Sequence, residues 1–81
     1  MTLAEIFASN VIALRRQTGL SQEKLAQKAH LSVSYISMLE RGTRTAPLST
    51  VEVIAKALDA TPLYILQLND HPRVTRRKRA K

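Results

Sequence analysis

Apolar side chains recur along this chain at the three-and-four spacing of one helix face, with polar residues filling the intervals. Leu3, Ile6, Phe7, Val11 and Leu14 form the first such stripe. Thr2 with Glu5 forms a capping box before it, and Gly19 follows it as a left-handed stop. A second helix is predicted after Ser21, an N-cap residue type, with Leu25, Ala26 and Ala29 facing inward. It ends near Ala29 or His30. A third follows Ser32 over residues 33–41, turns Ile36 and Leu39 inward, and stops at Gly42. Residues 43–47 read as a loop.

Ser49 and Glu52 predict a second capping box, opening a fourth helix that carries Val51, Ile54, Ala55 and Leu58. A fifth begins at Thr61 with Pro62 in the favoured first position, and carries Leu63, Ile65, Leu66 and Leu68. No stretch alternates as a strand does, and there is no glycine-rich phosphate loop. After Asp70 the pattern ends. His71 and Pro72 break any helix and a charged run follows. The expectation is an all-α, five-helix domain over residues 1–70, with a basic, disordered tail over residues 71–81.

Composition narrows the function. The 81 residues suffice for one domain, and with aromatics at 4% its core must come from Leu, Ile, Val and Ala. The absence of cysteine excludes disulfides and thiolate zinc sites, and no apolar run is long enough to span a membrane. With no signal-peptide pattern at the N-terminus, the expected location is the cytoplasm. The formal charge of +7 points to a polyanionic partner. Its distribution qualifies that reading. Arg73, Arg76, Arg77, Lys78, Arg79 and Lys81 account for six of the 13 basic residues, leaving seven bases against six acids elsewhere. The two histidines, His30 and His71, form no metal-binding pattern. Ser, His and Asp occur without the arrangement of a catalytic triad, so no enzyme and no cofactor are expected.

The informative segment is residues 21–42. Two short capped helices are joined by about three residues, with small Ala26 at the crossing and Leu31 positioned to fill the angle. This is the helix-turn-helix arrangement, whose second helix enters the DNA major groove. The segment also resembles a known family. Leu20, Ser21, Gln22, Leu25 and Ala26, then Ser32, Tyr35, Ile36, Ser37, Leu39, Glu40, Arg41 and Gly42, are similar to the Xre/Cro family with its lambda-repressor-like domains. Residues 54–58 followed by Pro62 resemble its fourth and fifth helices, so the resemblance spans about residues 7–68.

That resemblance implies a dimeric transcriptional regulator, a repressor, on a near-palindromic operator of double-stranded DNA. Carried over by position, Val33, Ser34, Ser37 and Met38 face bases. Gln22, Lys28, Tyr35, Arg41 and Arg44 face phosphates. Arg15 and Glu40 form a structural bridge. Two features depart from the family. His30 stands in the turn where glycine is frequent, although histidine enters the left-handed region more readily than most residues. The four base-facing positions include no Arg, Asn or Gln, the usual two-pronged readers of guanine and adenine. Thymine methyls, serine hydroxyls and DNA shape must then supply more of the specificity.

The surplus of apolar residues in the fifth helix implies an exposed patch, with Tyr64, Ile65 and Leu68 as the expected homodimer interface. An antitoxin with a small toxin as its protein partner is the alternative to a stand-alone regulator. The basic tail is the segment available either to that partner or to DNA phosphates.

Overall fold

The computed structural model describes residues 1–69 and Pro72. Five helices follow in order: α1 (Leu3–Gln17), α2 (Gln22–Ala29), α3 (Val33–Glu40), α4 (Leu48–Ala57) and α5 (Pro62–Ile65). No strand occurs among the described residues. The expected domain boundary after Asp70 and the tail beyond it fall outside the described residues, except for Pro72.

Local side chains start four of the helices. Thr2 accepts from the Glu5 amide while Glu5 accepts from the Thr2 amide, completing the capping box. Ser21 accepts from the Lys24 amide, Ser32 from the Tyr35 amide and Thr61 from the Tyr64 amide. Each such cap satisfies a backbone N–H that has no partner within its helix. The fourth helix departs from expectation. It begins at Leu48 with Pro47 at the cap and no side-chain cap, so Ser49 lies inside the helix and no box with Glu52 forms. The Val51 amide donates to the Pro47 carbonyl at 3.0 Å, which commits Leu48 to Thr50 to the first turn and carries Thr50 and Val51 into the interior.

Three helices end in the same way, through one residue at positive φ and an amide that reaches back five residues. Leu20 N–H donates to Arg15 around Gly19 at φ 74°. Leu31 N–H donates to Ala26 around His30 at φ 58°. Ala60 N–H donates to Ala55 around Asp59 at φ 57°. These closures satisfy terminal carbonyls and turn the chain sharply. His30 thus adopts the left-handed conformation expected of it, at a cost that glycine would not incur.

Helix α3 packs against both α2 and α1, α4 packs against α2 and α5, and α5 returns to α1. The shared core is aliphatic. Leu14, Leu25, Ile36, Leu39, Ile54, Leu58 and Ile65 are among its largest fully buried side chains. Leu31 packs against this core from the turn, as its position predicts. The burial of Ile65 corrects the interface reading, because a side chain with 0% exposure in its own core is not available to a partner. Its neighbours Leu63 and Leu68 face outward at 79% and 66% exposure, while Tyr64 is half-buried against the core. No helix among the described residues is long and apolar enough to cross a membrane.

Candidate nucleic-acid interface

The capped N-terminus of α2 and the outer face of α3 form one surface. A shallow, open hollow is lined by Gln22, Val33, Ser34, Ser37, Met38 and Arg41. The four positions expected to face bases therefore lie together, beside the first residue of α2. Val33 is 41% exposed although apolar, and Ser34 is exposed, whereas Ile36 and Leu39 on the opposite face are sealed in the core. The Tyr35 ring is half-buried and packs against the core from the rim of this face.

Two arginines reach the surface from its C-terminal side. Arg41 Nη1 donates to Ser37 Oγ at 3.3 Å, and Arg44 Nη1 approaches Met38 Sδ at 3.7 Å. Both side chains are exposed, so these weak interactions are readily exchanged for others. The expectation for both arginines is phosphate. Their lean over Ser37 and Met38 also brings guanidinium donors to the four expected reading positions, none of which carries one.

Lys28 does not join this group. It lines a separate hollow between α2 and α4 with His30, Val53 and Lys56. Its place near the end of α2 puts it a helix length from the cap at Ser21. The phosphate role expected for Lys28 thus concerns a part of the surface apart from the α2–α3 hollow.

The surface is held from below by a bond network that crosses three helices. Arg15 Nε donates to Glu40 Oε2 at 2.6 Å and Arg15 Nη2 to Glu40 Oε1 at 3.1 Å, with side-chain exposures of 12% and 6%. The remaining guanidinium nitrogen, Nη1, donates to the Leu20 carbonyl at 3.0 Å. Gln22 Nε2 donates to Glu40 Oε1 at 2.9 Å. This bond has no signal in the sequence, which points Gln22 to phosphate alone. It ties the start of α2 to the end of α3 and sets the angle between the two motif helices. The Glu40 carboxylate, close to a surface suited to an anion, is neutralised in place by Arg15. Among the described residues no group of three or more His, Cys, Asp or Glu is placed to hold a metal ion.

Comparison with known proteins agrees with this geometry. A helix-turn-helix family model matches residues 11–65, which is more than half of the chain. The chain belongs to the Xre/lambda-repressor-like helix-turn-helix family. It is a DNA-binding transcriptional regulator of that class. The control protein C.SmaI of Serratia marcescens is 43% identical over 61 residues, covering 75% of this chain and 73% of that protein. Among solved structures, the hypothetical transcription factor NHTF from Neisseria superposes with a TM-score of 0.79 at 33% identity, over 83% of this chain and 77% of that one. The restriction-modification controller C.AhdI from Aeromonas hydrophila gives a TM-score of 0.73 at 37% identity, over 76% of this chain and 94% of that one. All three are named as regulators rather than enzymes.

Proposed function

We propose that this regulator binds a near-palindromic operator as a homodimer and represses transcription there by occupying the promoter. The observation that carries the reading is the joint exposure of Val33, Ser34, Ser37 and Met38 beside the capped start of α2. A helix presented in this way reads base edges in the major groove. Val33 offers a methyl surface to thymine, and Ser34 and Ser37 offer hydroxyls to base edges. Gln22, with Tyr35 at the rim and Arg44 beyond Met38, meets the phosphates. Arg41 leans over Ser37 and supplies the two-pronged donor that the other reading positions lack.

Likeness to C.SmaI and C.AhdI supports control of restriction–modification genes as the setting. The dimer forms through the outward side chains of the α5 region, Leu63 and Leu68, with Tyr64 at the margin. Large exposed leucines on one short segment are what an interface covers. Half-site centres then lie about 34–36 Å apart, one helical turn of DNA.

The experiment is selection of bound sites from random DNA, followed by footprinting and sedimentation. Wild type is expected to select an inverted repeat and to sediment as a dimer when concentrated. Leu63→Glu and Leu68→Glu should remain folded and become monomeric, whereas Ile65→Glu should unfold. A concentrated protein that stays monomeric and protects one unrepeated half-site would remove the dimer from this account. Loss of a single guanine preference in Arg41→Ala marks a base contact; a uniform loss across all sites marks a phosphate contact.

A further inference from the structure

Helix α5 has only four residues. A helix that short does not stand alone in water, and its last carbonyls find no donors within it. Two asparagine side chains supply donors from outside. Asn10 lies in α1 on the buried stripe of Phe7, Val11 and Leu14, and is itself 2% exposed. Its Nδ2 donates to the carbonyls of Ile65 and Gln67, both at 2.9 Å. Asn69 Nδ2 donates to the Tyr64 carbonyl at 3.0 Å and the Gln67 carbonyl at 2.9 Å. The same nitrogen donates to Asn10 Oδ1 at 3.3 Å, so the two amides form one network.

An apolar residue at position 10 would continue the stripe of α1, and a buried amide there is costly unless it is bonded. The bonds it makes fix the course of the chain beyond α5. One nitrogen of α1 holds the peptide groups on both sides of Leu66, and the second of them leads directly into Leu68. Leu66 is thereby kept half-buried against the core, while Leu63 before it and Leu68 after it stay 79% and 66% exposed. Leu63 is placed by α5 and Leu68 by the segment that follows. Their position relative to each other therefore depends on the two amides. The same α1 braces α3 through Arg15, so the outward leucines and the reading helix are fastened to one element.

We infer that Asn10 and Asn69 are positioning residues for self-association, which lock residues 64–69 in the arrangement that presents Leu63 and Leu68 together to a second copy of this chain. This rests on the dimer reading given above. Neither asparagine need touch the partner. Each acts through the backbone that carries the leucines.

The test compares the full chain with Asn10→Ala and Asn69→Ala, well below the melting temperature of each. Sedimentation gives the dimer dissociation constant, and a duplex carrying a single half-site gives the DNA affinity of the monomer. If the bonded arrangement falls to about a third of the molecules, the dimer weakens by about 10-fold, because both copies must hold it. Half-site affinity should stay within about 2-fold of wild type, since the network lies apart from the α2–α3 hollow. Asn69 is half-buried near the end of the described segment, so its variant decides the matter if Asn10→Ala does not fold. In a Leu68→Glu background, already monomeric, neither substitution should change the half-site affinity. A dimer constant unchanged in a variant that is merely less heat-stable overturns the inference and leaves the dimer intact. A half-site loss as large as the dimer loss would show that the amides act on the whole domain, and also overturns it. A wild type that stays monomeric when concentrated overturns the dimer reading itself, and the inference with it.

Discussion

Arginines on the two sides of α3 meet opposite circumstances. Arg15 lies beneath the helix, largely buried, with both oxygens of Glu40 and the Leu20 carbonyl as fixed partners. Arg41 and Arg44 lie above it in solvent, each with one long interaction to a reading residue. Below α3 the guanidinium is committed to geometry, since removing one partner strands a charge in a poorly solvated place. Above it the same group is free to exchange a weak internal bond for DNA. Arg15 and Glu40, which brace the reading helix, are thus separate from the side chains that helix presents to DNA, and Gln22 touches both sets.

That separation makes Glu40→Ala the most damaging of the informative substitutions. It leaves Arg15 without its carboxylate and Gln22 without its acceptor, and should lower stability by about 3–5 kcal/mol in urea denaturation. Site preference of the folded fraction should be retained. A variant of unchanged stability that binds no DNA would show that Glu40 belongs to the reading face instead.

Val33→Ala and Ser34→Ala should show the converse. Stability is expected to hold, while discrimination between selected sites falls by about 1–3 kcal/mol for each base interaction removed. Site selection repeated with each variant measures this, and identical preferences in wild type and both variants would refute the assignment of α3.

The smallest effect is expected at the turn between the motif helices. His30 occupies a left-handed conformation that disfavours any side chain, and it lies outside both the Arg15 bond network and the reading hollow. His30→Gly should relieve strain of about 1–2 kcal/mol, offset in part by the greater freedom of unfolded glycine. The net gain in thermal denaturation should be about 0.5–1 kcal/mol, with DNA preference unaltered. A decrease in stability would mean that the imidazole makes a compensating interaction.

Much of the fold is legible in the sequence because helix starts and stops are local. The caps of Thr2, Ser21, Ser32 and Thr61 each bond an amide three residues on, so their residue types announce them. The stop at Gly19 is equally plain, but the same turn at Asp59 is not, since aspartate enters the left-handed region more readily than most residues yet far less often than glycine. The start of α4 is hidden for a related reason. Ser49 and Glu52 have the spacing of a box, yet the burial of Thr50 and Val51 requires the helix to have begun before them. In the candidate site, the ordered motif from Leu20 to Gly42 brings the expected reading positions onto one face. It does not separate Lys28 from them, because two faces of a short helix differ only in what packs beside them.

Five helices, the helix-turn-helix and the residues that α3 holds outward are specified locally along the chain. They arise from hydrogen bonds between near neighbours and from a stripe repeated often enough to have a direction. The inward turn of Ile65 and the outward turn of Leu63 and Leu68 belong to the tertiary structure, because α5 is a four-residue helix, too short for a stripe to be read. So do the sharing of Glu40 between Gln22 and Arg15, and the bonds of Asn10 to carbonyls 55 and 57 residues further along the chain. Such partners are brought together by the packing of the core, and a buried amide or carboxylate takes whichever partner that packing delivers.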